Sequence, residues 1–256
     1  MRRPLSALAA WALGGLLLLI ALGAGAARAA PSAAPSLPPF DALYAVYGYG
    51  LRIAESRRSL RPAPAGGRLV YESFTHAVGI AAWIAKDRIH ERSEWSYHEG
   101  RPRPLHYVYD RRGGRKTRHL EMRFHWERGE VEHRVDGRPP WRLRVPPDAQ
   151  DKLLYQIAIM LDLARGAPLR YRIADGGRLR DYRFEVLGRE TVEVPAGRFE
   201  TVKIRRLDDR RGTTVWCAPA LRYLPVRLAQ TETDGTPLRM ELLEVRWGTT
   251  LPARAP

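Results

Sequence analysis

Cysteine is almost absent from this sequence: Cys217 is the only one in 256 residues. A single thiol excludes an internal disulfide, and it excludes a zinc site built from several cysteines. Cys217 lies in an apolar run typical of a strand, which predicts a buried and unreactive thiol rather than a nucleophile. The fold must therefore be stabilised by its hydrophobic core.

Lysine is also scarce, although the formal charge of the chain is +15. Nearly all basic residues are arginines, and they are interspersed with Asp and Glu instead of forming blocks. This pattern is typical of a solvated β surface, and we expect no nucleic-acid partner. A basic surface of this kind favours contact with an anionic membrane surface. Lysine occurs only at positions 86, 116, 152 and 203.

Only one hydrophobic run is long, from Leu5 to Leu22, and two arginines precede it. Small residues follow it, and Ala27 to Ala29 (Ala-Arg-Ala) fits the pattern of a signal-peptidase site. We predict cleavage between Ala29 and Ala30, export to the periplasm, and no transmembrane segment in the mature chain. The alternative is a retained anchor, but the run reaches the ~20 apolar residues of a span only if Ala and Gly are counted. Without residues 1–29 the chain has 40 basic and 28 acidic residues, a formal charge of +12.

Apolar and polar residues alternate from position 40 onward, in short runs separated by Gly-containing turns. The clearest run is His119 to Glu127. The pattern predicts a mostly β protein: a single antiparallel β-meander domain over 40–248 that forms a strongly curved sheet or an open barrel. This domain would follow a signal peptide at 1–29 and an Ala/Pro-rich leader at 30–39. A disordered tail is expected at 249–256.

One amphipathic helix is predicted inside the β pattern, at about 148–165. Asp148 is the expected N-cap, and Gly166 follows the last helical residue. Such a helix would plug or flank the curved sheet. A shorter apolar patch, Ala77 to Ala85, predicts a helical turn or loop that caps one end of the sheet.

All seven histidines lie between positions 76 and 133, so a metal site was the first enzymatic hypothesis. His90 and Glu91 resemble the start of the H-E-x-x-H pattern, but Glu94 replaces its second histidine and the segment alternates like a strand. Cross-strand pairs such as His106 with His119 or His125 stay open. We interpret the histidines as surface residues and expect no metal site and no cofactor.

Other enzyme motifs are absent, since the sequence has no G-x-S-x-G elbow, no P-loop and no Rossmann glycine pattern. The pair Asp208 and Asp209 is interpreted as part of a solvated loop. We therefore predict no catalytic residues. The tryptophans of the β region are interpreted as core residues, at positions 83, 95, 126, 141, 216 and 247.

Three segments resemble a known bacterial family. The stretch Val194 to Ile204 (VPAGRFETVKI) is followed by Val215 to Pro219 (VWCAP) and by Tyr223 to Arg227 (YLPVR). Together they resemble the family of unknown function DUF 3108, over roughly 40–246. The resemblance implies a periplasmic antiparallel β fold and no established activity. Because turn and strand-end chemistry explains the motif, we interpret the following residues as fold determinants: Pro195, Gly197, Trp216, Ala218, Pro219, Leu224 and Pro225.

Three functions stay open at this point. The preferred one is a periplasmic protein that binds or carries an apolar or lipid-like ligand in a β cup. The second is an envelope assembly or interaction protein that binds a protein partner through a sheet edge. The third, a metal-dependent hydrolase, has no motif in its favour. An interior filled by the protein's own side chains would count against the first.

Overall fold

The computed structural model describes residues 36–64, 66–84, 86–114 and 117–248. The predicted signal peptide with its cleavage point at Ala29 and Ala30, most of the predicted leader and the predicted tail lie outside the described residues. All the described residues belong to one compact unit. Within these ranges, no helix is long and apolar enough to cross a membrane.

Fourteen strands and two α-helices account for most of this part of the chain. The strands are β1 (Phe40–Gly48), β2 (Leu51–Pro62), β3 (Leu69–Ala77), β4 (Arg88–His98), β5 (Arg101–Arg112), β6 (Arg118–His125), β7 (Glu130–Val135), β8 (Trp141–Arg144), β9 (Arg170–Asp175), β10 (Arg178–Val194), β11 (Gly197–Arg206), β12 (Thr214–Ala218), β13 (Leu224–Thr231) and β14 (Pro237–Trp247). The helices are α1 (Ile80–Ile84) and α2 (Tyr155–Arg165). The predicted cap at 77–85 is thus the short helix α1.

The strands form one antiparallel sheet in the order 8-7-6-5-4-3-2-1-14-13-12-11-10-9. Each half is a meander, and the halves join where β1 pairs with β14 over the whole length of β1. The edge strands are β8 and β9, which do not pair with each other, so the sheet is not closed. The predicted class, an antiparallel β-meander forming a curved sheet or open barrel, is confirmed.

Period-two alternation places one face of each strand in the core. In β6, Leu120, Met122 and Phe124 are buried while Arg123 between them is exposed. The predicted strand ends earlier than Glu127, because Trp126 starts a 3-10 turn that closes at Gly129 in the left-handed conformation.

Helix α2 starts at Tyr155, so the predicted start and N-cap at Asp148 were wrong. The reason is Gln150, whose N–H donates to the Arg172 carbonyl and whose carbonyl accepts from the Ala174 N–H, both at 2.8 Å. These bonds hold the chain extended along the edge of β9. The predicted end is correct: Gly166, with a φ of 65°, closes the helix.

Helix α2 occupies the inner side of the sheet, and its residues from Ile157 to Asp162 are all buried. Ile157, Met160 and Leu161 belong to the main core together with aromatic residues of β1, β3, β4 and β5. Ala158 and Ile159 belong to a second core formed with β9 to β12. Burying each large side chain contributes about 1.5–3 kcal/mol. The protein's own side chains therefore fill this part of the cup, which counts against an apolar ligand there.

Candidate functional site

The gap between the two edge strands is crossed by the segment that leaves β8. Gln150 in this segment makes a single parallel bridge to Ile173 of β9. Its side-chain Nε2 donates to the Pro102 carbonyl at 2.8 Å, and Arg165 of α2 donates to the Gly100 carbonyl at 2.7 Å. Three elements thus meet here: the β4–β5 turn, the segment after β8, and α2 with the start of β9.

A cleft of about 280 Å³ lies between these elements. We call it the seam cleft and define it by six of its polar lining residues: His98, Arg101, Arg103, Gln150, Asp162 and Arg170. A second groove, of about 630 Å³, runs along the outer side of β9 and β10. The two depressions share Asp148, Arg170 and Tyr171.

The buried part of the seam cleft offers hydrogen-bond acceptors. Gln150 is 6% exposed, and its Oε1 atom is buried without a hydrogen-bond partner. An unpaired buried amide oxygen costs about 1–3 kcal/mol, so a donor at this position is favoured. Asp162 is equally buried, and its Oδ2 accepts a 3.1 Å hydrogen bond from the Tyr171 hydroxyl. Burial raises the pKa of Asp162 above its usual value.

The exposed part of the seam cleft offers arginines beside the exposed carboxylates of Glu99 and Asp148. Arg101 and Arg170 are exposed, and among the described residues neither forms an ion pair with a carboxylate. Arg103 is held in place, because its guanidinium stacks over the Trp126 ring at 4.4 Å. An unpaired guanidinium presents several N–H donors in a plane that matches a carboxylate or a phosphate. The cleft can therefore bind an anionic group at its exposed arginines and a hydrogen-bond donor at its buried acceptors.

The residues of the sequence motifs lie elsewhere, and none of them lines the seam cleft. Pro195 stands in the β10–β11 turn, and Gly197 follows with a φ of 133°. The other two segments form the arms of one hairpin, in which Cys217 faces Pro225 and Ala218 faces Leu224. The remaining motif residues also belong to this hairpin: Trp216 in β12 and Pro219 at the start of a 3-10 turn. Their interpretation as fold determinants stays a prediction.

Several other sequence expectations can be compared with the structure. Burial raises the pKa of Cys217 to about 12, in agreement with an unreactive thiol. His106 faces Arg123 across β5 and β6, so it does not lie opposite His119. Within the described ranges, no three His, Cys, Asp or Glu side chains are grouped to hold a metal.

Two expectations about single side chains were wrong. His133 is not a surface residue: it is fully buried and stacks on Trp141, with ring centroids 5.2 Å apart. Trp83 is not a core residue, since 88% of it is exposed on helix α1. His133 lies on the same face of β7 as the buried Val131, and Trp83 belongs to helix α1, where strand alternation does not apply.

The family model for DUF3108, proteins of unknown function, matches residues 43–243 of the chain. The chain belongs to the DUF3108 family. No curated protein matches it significantly. Membership agrees with the antiparallel β fold and assigns no activity to the seam cleft.

Solved structures of other proteins share the fold at low identity. A crystal structure of a β-barrel-like protein of the DUF1849 family from Brucella abortus matches with a TM-score of 0.51 and 10% identity, covering 82% of this chain and 98% of that chain. A "putative lipoprotein" from Parabacteroides distasonis has a TM-score of 0.32, 11% identity and coverages of 83% and 97%. A "putative exported protein" from Bacteroides fragilis has a TM-score of 0.34, 10% identity and the same coverages. The fold comparison therefore depends on the Brucella protein.

The seam cleft carries no signal in the sequence. Its polar residues come from three separate stretches, around 98–103, 148–150 and 162–170, and match no motif. The bridge between Gln150 and Ile173 and the side-chain hydrogen bonds to the Gly100 and Pro102 carbonyls bring them together.

Proposed function

We propose that this DUF3108 protein is an exported envelope protein that binds a small polar ligand in the seam cleft. The ligand carries an anionic group and a hydrogen-bond donor. One observation carries the proposal: Gln150, whose buried Oε1 has no hydrogen-bond partner, lines the same cleft as Arg101 and Arg170, which form no ion pair with a carboxylate of the described residues. The predicted signal peptide at 1–29 supports export to the periplasm.

The geometry favours this polar ligand over the lipid-like ligand predicted for the cup. The inner side of the sheet is packed with α2 and the residues just before it, and Leu153, Leu154 and Ile157 are at most 1% exposed. An acyl chain would have to displace these side chains, at about 2–5 kcal/mol for each large one. A polar ligand in the seam cleft displaces no core residue.

Binding of a protein strand at the sheet edge is also less favoured. Strand β8 has only four residues, and proline pairs stand on both sides of it, at 139–140 and 146–147. Its exposed side chains are Arg142 and Arg144. Short length, proline and charge are the devices by which proteins prevent pairing at an edge strand.

The test is calorimetric titration of the purified chain with free amino acids, sugar phosphates and inorganic phosphate. We expect an amino acid or a sugar phosphate to bind more tightly than inorganic phosphate, because inorganic phosphate carries no second group that could donate a hydrogen bond in the cleft. Arg101→Gln combined with Arg170→Gln should weaken this binding by at least about 100-fold, since each hydrogen bond to a charged group contributes about 1.5–3 kcal/mol and two such groups are removed.

The matched control is Arg189→Gln, because Arg189 on β10 is also exposed and also lacks a carboxylate partner among the described residues. It should bind like the unchanged chain. The proposal fails if no compound of the three classes binds, or if the double variant binds as tightly as the control.

A further inference from the structure

Three large apolar side chains are exposed at one end of the sheet. Trp83 is 88% exposed, Tyr49 71% and Leu51 70%. Tyr49 lies in the β1–β2 turn, Leu51 is the first residue of β2, and Trp83 belongs to α1, which follows β3. Single exposed apolar residues are common on soluble proteins, but several large ones at one end of a sheet are typical of an interaction site.

The structure places these segments next to each other. Strand β3 pairs with β2 so that Ala77, at the end of β3, faces Ala54 near the start of β2. The chain then turns beside β2, and the Val78 N–H donates to the Ile53 carbonyl at 3.0 Å. Helix α1 therefore begins beside the strand that carries Leu51, and all three apolar side chains share this end of the sheet.

Cations lie beside the apolar side chains. A shallow depression of about 360 Å³ next to α1 is lined by Lys86 and Arg88, among others. Neither of these two forms an ion pair with a carboxylate of the described chain, whereas the neighbouring Arg111 is paired with Asp87 at 2.6 Å. Their charges are therefore available to an anionic partner.

We propose that this end of the sheet docks on the surface of an anionic lipid bilayer. We call it the α1 rim and define it by Tyr49, Leu51, Trp83, Lys86 and Arg88. The aromatic rings and the leucine enter the level of the lipid headgroups, where Trp and Tyr are favoured because one part of each is apolar and another polar. The ammonium of Lys86 and the guanidinium of Arg88 contact lipid phosphates.

Charge and shape favour a lipid surface over a protein partner. Without residues 1–29 the chain still has a formal charge of +12, so its field attracts an anionic bilayer at long range. The apolar side chains project from a turn, the start of β2 and a short helix instead of lining a groove, and protruding side chains suit a soft, flat surface. Docking here uses residues distinct from those of the seam cleft, so either proposal can fail without the other.

The test uses the chain that starts at Ala30, because a hydrophobic signal peptide would itself bind lipid. This chain keeps every described residue, and therefore all fourteen strands and both cores. Co-sedimentation is measured with vesicles of phosphatidylcholine alone and of phosphatidylcholine mixed with phosphatidylglycerol. We expect binding only to the mixed vesicles, with a blue shift of tryptophan emission.

Two double variants test the apolar residues and the basic residues of the α1 rim separately. Trp83→Ser with Leu51→Ser should weaken binding at least about tenfold through lost apolar burial. Lys86→Gln with Arg88→Gln should weaken it about 20- to 30-fold, at roughly fivefold for each basic residue near the surface. Trp83→Phe should keep most of the binding and lose most of the blue shift.

The control is Leu187→Ser, because Leu187 is 44% exposed on β10, outside the rim. It should bind like the unchanged chain, and all variants should melt at the same temperature, since the changed side chains are solvated. The proposal is overturned if the unchanged chain does not sediment with mixed vesicles, or if both rim variants sediment as well as the control. A concentration-dependent dimer that the rim variants abolish without vesicles would also overturn it.

Discussion

The Ser93 hydroxyl donates a 2.6 Å hydrogen bond to Oδ2 of Asp151 inside the protein, which ties strand β4 to the segment that leads into helix α2. The other carboxylate oxygen, Oδ1, accepts the backbone N–H groups of Leu153 and Leu154 at 2.8 and 2.7 Å. Asp151 therefore satisfies backbone donors just before the helix and also positions the helix against the sheet.

Replacement of Asp151 tests this double role. We expect Asp151→Ala to lower the free energy of unfolding by about 2–5 kcal/mol, because it leaves two buried N–H groups and the Ser93 hydroxyl without partners. Asp151→Asn keeps an acceptor for the N–H groups and should lose clearly less. The measurement is urea unfolding followed by tryptophan fluorescence. Equal losses in both variants would show that the acceptor atoms do not matter.

Stability should also depend on the protonation of Asp151. Burial raises the pKa of its carboxyl from 3.8 to about 6, so the folded state binds the proton more tightly than the unfolded state does. The contribution of this group is therefore present below about pH 4 and is lost as the pH rises to about 6. In Asp151→Asn this loss should be absent. The two unfolding free energies are compared across that interval, and parallel curves would contradict the assignment.

His133 should act with the opposite sign. Burial lowers the pKa of its ring from 6.5 to about 4, and neither ring nitrogen has a hydrogen-bond partner. The unfolded state binds the proton more tightly, so stability falls as the pH drops from about 6.5 to about 4. We expect His133→Phe, which keeps the stacking on Trp141, to remove this acid sensitivity. Melting temperatures measured at both ends of the interval test it, and an unchanged acid loss would refute it.

The β9–β10 turn touches edge strand β8, and this contact can be probed at Gly177. Its φ is 92°, and a Cβ atom there would come within 2.7 Å of Nε1 of Trp141. We expect Gly177→Ala to destabilise the protein by more than the ~1–2 kcal/mol of a non-glycine residue in the left-handed region. Hydrogen exchange in β8 should accelerate as well.

Gly137→Ala is the matched control for this variant, because Gly137 has a φ of 68° and no atom within 4 Å of the added carbon. It should lose only the stability that an alanine in the left-handed conformation costs. If the two alanine variants lose the same stability and exchange at the same rate in β8, the contact with Trp141 does not help to hold the open edge.

Much of the secondary structure could be predicted, because it depends on residues that are close together in the chain. A sheet with one buried face requires every second residue to be apolar, and Leu120, Met122 and Phe124 show this directly. The end of α2 at Gly166 was predictable for the same reason, since a glycine in the left-handed conformation closes a helix without outside help.

The errors arose where a distant partner overrides local preference. Asp148 has the chemistry of an N-cap, but the pairing of Gln150 with β9 keeps the chain extended beyond it. His133 was predicted to be a solvated strand residue, but Trp141 of the neighbouring strand β8 covers it. The residues of the seam cleft, such as Arg101 and Arg170, have no local feature that distinguishes them from the other arginines.

The sequence by itself determined that this chain forms antiparallel strands with one apolar face, one helix and an unreactive thiol, because each of these follows from neighbours within a few residues. Only the tertiary structure decided that β1 pairs with β14, that the sheet stays open between β8 and β9, and that α2 fills its inner side. Such arrangements depend on contacts between segments that are not neighbours in the chain, such as Phe40 with Trp247, which alternation along the chain does not encode.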